Sequence, residues 1–91
     1  MTPETQQQAN RRMKIIAGQV NALARQIEED KYCVDILDLS LSIQKALRSL
    51  DGLVMEGHLR THVVEMMQGG EQDKAVNELL RLYKIQGPGD A

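Results

Sequence analysis

Three side chains in this sequence could together hold a soft metal ion: Cys33, His58 and His62. His58 and His62 are four apart, so on a helix both imidazoles project from one face and can meet a single ion. A pair at that spacing is more often surface or packing than a ligand set, so it needs a third donor. Cys33, the sole cysteine, is the available thiol. Free cysteines are often just buried. This one falls in the first turn of a predicted helix, where the helix dipole favours the metal-binding thiolate. Asp30 and Asp35 nearby oppose that effect.

Little else in the chain competes. No glycine-rich phosphate loop is present. Cys33 with a histidine could in principle form a nucleophile and base, but no oxyanion hole or substrate pocket is legible, and an enzyme is not expected. Met66-Met67 could offer thioethers, although methionine at a helix end is more often core filler. Arg11-Arg12-x-Lys14 taken alone reads as an ordinary solvated face.

The elements that must position these residues are helical. Ninety-one residues suit one small domain spanning 1–91, with 86–91 as a frayed tail. A core this small is commonly completed by oligomerisation. Phe and Trp are absent and the aromatics are Tyr32 and Tyr83, so packing falls to aliphatic side chains, which favours helix on helix. One cysteine excludes an internal disulfide framework. The N-terminal stretch has no basic-then-apolar signal and no apolar run approaches a membrane span, so a soluble chain in a reducing cytoplasm is expected. The net charge of −2 argues against nucleic acid at first sight. The charge is segregated, however: residues 1–27 carry Arg11, Arg12, Lys14 and Arg25 against Glu4 alone, before an acidic stretch beginning Glu28-Glu29-Asp30. Local patches matter more than the total.

Glu28-Glu29-Asp30 and Gly69-Gly70 divide the chain into three helical segments without strand-like alternation. In the first, Thr2 can cap, Pro3 suits the first helical position and Glu4 complements the dipole. Ala9, Met13, Ile16, Val20, Leu23 and Ile27 form its coiled-coil-like seam. The long central segment, residues 30–67 with Asp30 as expected N-cap, has only Gly52 and Gly57 as interior helix-weakeners. One stripe runs through Ile36, Leu39, Ile43, Ala46, Leu50 and Leu53. A second apolar set, Val34, Leu37, Leu41, Leu47, Val54 and Leu59, points elsewhere. A helix apolar on two faces is covered on two sides, and a monomer this small cannot do both. The third segment, residues 71–84, carries Ala75, Val76, Leu79, Leu80, Leu82 and Tyr83 and is expected to close the bundle.

Helix geometry then restricts the metal site. From Cys33 to His58 along a continuous helix is about 37 Å, so the two cannot share an ion within one chain. Two antiparallel copies, crossing near Ala46 and Leu47, bring Cys33 of one against His58 and His62 of the other. That pairing makes two sites per dimer and covers the second apolar face as well.

Arg12-Met13-Lys14-Ile15-Ile16-Ala17-Gly18-Gln19-Val20, Tyr32-Cys33-Val34-Asp35-Ile36-Leu37 and Gly57-His58-Leu59-Arg60-Thr61-His62, at this spacing and chain length, resemble the copper-sensitive operon repressor (CsoR/RcnR) family across nearly the whole chain. The resemblance implies an all-α fold of three helices with a long central helix. It also implies an antiparallel helical-bundle dimer that assembles into a tetramer, a dimer of dimers. It places Cys33, His58 and His62 at the metal-ligand positions, with His62 where copper sensors usually carry cysteine. Tyr32 and Glu78 match outer-shell residues thought to link ligand orientation to DNA release. Arg12 matches a DNA-contacting arginine, while Ser49 replaces a second basic position, with Lys45 and Arg48 beside it.

The expected function is a cytoplasmic, metal-responsive transcriptional repressor. Its apo form would bind operator double-stranded DNA through Arg12, Arg11, Lys14, Lys45 and Arg48, and metal would release it to derepress efflux or detoxification genes. Cu(I) fits best. Zn, Ni or Co stay open, because imidazole in place of thiolate makes the site less soft. Nickel and cobalt sensors of the family add an N-terminal histidine that this chain lacks. Formaldehyde sensors use an N-terminal proline amine, whereas proline here is third. Persulfide sensors need two cysteines. The reading from another class is a metal-buffering or structural helical oligomer that never touches DNA.

Overall fold

The computed structural model describes residues 1–87, and among these there is no strand. Helix α1 is Pro3–Glu28. It starts as its sequence dictates: Thr2 is extended (φ −68°, ψ 157°), its hydroxyl accepts from the Thr5 N–H at 3.2 Å, and Pro3 opens the first turn. Its end corrects the expected role of Asp30. Asp30 has φ 51°, its N–H donates to the Ile27 carbonyl at 3.1 Å and the Lys31 N–H to the Gln26 carbonyl at 3.0 Å. Those paired bonds with one left-handed residue form a Schellman motif. Asp30 therefore closes α1 rather than capping α2. Aspartate suits either place, since its short polar side chain tolerates the left-handed region and also favours N-caps.

Helix α2 is Cys33–His58. Its first turn is closed by the Ile36 N–H donating to the Tyr32 carbonyl at 3.2 Å. An uninterrupted helix of 26 residues is about 39 Å long. The chain groups into two compact units, from Met1 to Gly57 and from His58 onward.

In the first unit α1 and α2 run antiparallel, because Arg12 bonds Ser49 and Thr5 lies against Gly57. A Cβ at Gly57 would stand 3.2 Å from the Thr5 methyl, so glycine permits the close approach. Ile16 and Ile43 are the buried apolar side chains here, at 3% and 6% exposure. The expected stripe is the covered one: Ile36, Leu39, Ala46, Leu50 and Leu53 are half-buried around Ile43. The second set remains open, with Val34, Leu37, Leu41, Leu47 and Val54 all exposed here and Leu59, its last member, exposed in the second unit. The α1 seam is covered only in part. Ala9 and Leu23 flank buried Ile16, whereas Met13, Val20 and Ile27 are exposed.

In the second unit, the chain after His58 makes one π-helical turn, Leu59–Val63. Helix α3 is Val64–Gln68 and helix α4 is Gln72–Gln86. The break between them is a second Schellman motif. Gly70 has φ 80°, where glycine has no steric penalty, and the Glu71 N–H donates to the Met66 carbonyl at 2.7 Å. Val63 and Ala75 are buried and Leu79 half-buried, while Val76, Leu80, Leu82 and Tyr83 on α4 are exposed. Helix α4 extends two residues beyond the expected end. Gln86, placed in the tail by sequence, is helical, and residues 88–91 of that tail lie outside the described residues.

Candidate metal centre

Of the three candidate ligands, the chain brings two together. His58 ends α2 and His62 lies in the π turn, and their ring centres are 5.5 Å apart. Two imidazoles bound to one ion at about 2.0–2.1 Å, with an angle of about 109–120° at the metal, have ring centres about 5.1–5.5 Å apart. The separation of the rings is that of two imidazoles on one ion. Glu78 reaches across from α4, with Oε2 at 3.8 Å from Nε2 of His58. Both side chains are only partly exposed, at 29% for His58 and 38% for Glu78. A carboxylate facing one ring nitrogen orients the imidazole and leaves the other nitrogen, Nδ1, as the donor available to a metal.

Cys33 is the first residue of α2, free and exposed. Tyr32 precedes it and is 71% exposed. Both belong to the first unit and the histidines to the second. Among the described residues no group of three His, Cys, Asp or Glu side chains within this chain could hold an ion. The donor set is chemically suited to a soft or borderline cation, one thiolate with two imidazoles, but a single chain supplies only part of it at one place.

The basic candidates are all exposed: Arg11, Arg12 and Lys14 on α1, Lys45 and Arg48 on α2. Arg12 stands apart. Its Nη1 donates to the Ser49 hydroxyl at 2.9 Å and to the Ser49 carbonyl at 3.2 Å. From sequence, Ser49 was notable only for lacking a charge. Its partnership with Arg12 follows the antiparallel pairing that also sets Thr5 against Gly57, since both pairs of residue numbers sum nearly alike. That relation is visible only once the hairpin is known. The π turn carried no sequence signal of its own, although such turns frequently occur at functional sites.

An all-helical chain with a basic first helix, a thiol at one end of a long helix and a histidine pair at the other has the parts of a metal-responsive helical regulator. The family model for metal-sensitive transcriptional repressors matches residues 5–84, and the chain belongs to that family. It is a metal-responsive transcriptional repressor and not an enzyme. The copper-sensing transcriptional repressor CsoR of Bacillus subtilis is 34% identical over 77 residues, covering 85% of this chain and 76% of that protein. The copper-sensing repressor RicR of Mycobacterium tuberculosis is 40% identical over 68 residues, 72% of this chain and 71% of its own. The crystal structure of the copper-sensing repressor CsoR with Cu(I) from Geobacillus thermodenitrificans superposes with a TM-score of 0.85 at 31% identity, covering 92% of this chain and 88% of that one. No helix of the described residues is long and apolar enough to cross a membrane.

Proposed function

We propose that this chain is a cytoplasmic copper(I)-responsive repressor whose apo form binds operator DNA and whose metal-bound form lets it go. The observation that carries the reading is the spacing of His58 and His62, matched to one shared ion and backed by Glu78. The likeness to copper-sensing relatives favours Cu(I) among the metals this donor set accepts. Cys33 of one protomer completes the site begun by His58 and His62 of its partner. Cys33, His58 and His62 would hold Cu(I) there, and the ion would supply a cross-link between the two protomers.

The open face of α2 supports that assembly. Val34, Leu37 and Leu41 are exposed on the single chain at 49%, 58% and 59%, and burying the half of each side chain still in water contributes about 1 kcal/mol apiece. An antiparallel second copy covers them and sets Cys33 opposite the histidine pair in the same step. Two dimers then associate into a tetramer, for which the exposed Val76, Leu80 and Tyr83 of α4 offer further apolar surface. Arg12, with Arg11, Lys14, Lys45 and Arg48, contacts phosphates of the duplex. Tyr32 and Glu78 orient the ligands beside them. Linkage makes the coupling reciprocal: if the ion weakens DNA binding, DNA weakens ion binding by the same factor.

The experiment is a Cu(I) titration against a chromophoric competitor, with a mobility shift on the DNA upstream of the chain's own gene. Wild type binds the ion tightly and leaves the DNA when it does. Cys33→Ala loses tight binding and stays on the DNA at every copper level. Unchanged stoichiometric binding by Cys33→Ala would place the site elsewhere.

A further inference from the structure

Arg12 is held in a way that has consequences for what it can bind. Its Nη1 donates twice to Ser49, to the hydroxyl at 2.9 Å and to the carbonyl at 3.2 Å. No other hydrogen bond or ion pair among the described residues engages this side chain. Nε–H and the adjacent Nη2–H form the side-on edge of a guanidinium, the edge that matches two oxygens of a phosphate. That edge is unspent and the residue is exposed. Beneath it the arginine stem, Ile15, Ile16, Ala46 and Ser49 line a shallow groove of 130 Å³, so apolar surface supports the stem while the head stays in water.

We propose that Ser49 is a positioning residue for DNA binding, clamping Nη1 of Arg12 so that the Nε/Nη2 edge is presented to a backbone phosphate of the duplex. A basic residue at this place would add a charge. Serine instead adds order to the charge already there. A free arginine gives up rotamer freedom when it binds, and one already held has less to lose. The clamp needs the hydroxyl and not the serine as such, and it acts only through Arg12.

The inference rests on the reading of Arg12 as a DNA contact, and the test separates the two. Anisotropy of a labelled duplex carrying the DNA upstream of the chain's own gene is followed from about 50 to 200 mM salt. Ser49→Ala weakens binding about three- to tenfold through the lost hydrogen bond. Its salt dependence is unchanged, because the same phosphates are neutralised. Ser49→Thr, which keeps the hydroxyl, restores wild-type affinity. Arg12→Ala weakens binding and also flattens the salt dependence, and adding Ser49→Ala to it changes nothing more. Alanine is the better helix former, so a thermal midpoint at or above that of wild type separates the loss from any failure to fold. Wild-type affinity in Ser49→Ala beside a weakened Arg12→Ala overturns the clamp and leaves the repressor reading standing. Additive losses in the double variant likewise overturn it, because the serine would then act without the arginine. A wild-type chain that ignores the duplex removes the reading and the clamp together.

Discussion

If one ion joins Cys33 of one protomer to His58 and His62 of its partner, two variants that are each unable to bind should repair each other. The perturbation is a pair of chains: Cys33→Ala, which keeps both histidines, and His58→Ala/His62→Ala, which keeps the thiol. Helix α2 is 26 residues long with Cys33 first and His58 last, so an antiparallel pairing centred near Ala46 and Leu47 sets each thiol beside the other chain's histidines. A heterodimer then contains one site with all three ligands and one with none. Unfolding and refolding an equimolar mixture gives about half heterodimers by chance, hence about one site for every four chains, against about one per chain in wild type. Cu(I) titration in the presence of a competing chelator reads that quarter stoichiometry, at wild-type affinity, while either variant alone stays deficient. Native mass spectrometry verifies that heterodimers have formed. A mixture no better than its components, with heterodimers present, would refute the shared site, since the α-helix that separates Cys33 from His58 leaves no route to ligation within one chain.

Two further predictions concern the scaffold. Asp30 holds a left-handed conformation at the end of α1, so Asp30→Gly raises stability by about 0.5–1 kcal/mol; thermal unfolding reads this as a higher midpoint, and a lower one would mean that the carboxylate matters more than the backbone. Gly57→Ala places its methyl 3.2 Å from the Thr5 methyl and lowers stability by about 1 kcal/mol. In a Thr5→Ser background, which lacks that methyl, the same change turns neutral or stabilising because alanine favours the helix, and equal effects in both backgrounds would refute the contact.

What this sequence determined by itself was local and periodic. The 3.6-residue repeat marked the stripe through Ile36, Leu39 and Ile43 that α1 covers, and it separated that stripe from Val34, Leu37 and Leu41, which stay open. Thr2 and Pro3 announced the start of α1, and the double glycine announced the turn before α4. The ligand types were legible too, because thiol and imidazole are few in this chain and two of them share a helical spacing. Tertiary structure decided whatever depends on residues far apart in the chain or on a choice between equally local options. Asp30 could have opened one helix or closed another, and the hydrogen bonds of Lys31 and of Asp30 itself settle it at the close of α1. Glu78 reaches His58, 20 positions earlier, only because α4 folds back within the second unit. Ser49 looked like a missing charge until the hairpin laid it beside Arg12, 37 positions away. A period can show which side of a helix is dry, but only the packed chain shows which side chain waits on the other side.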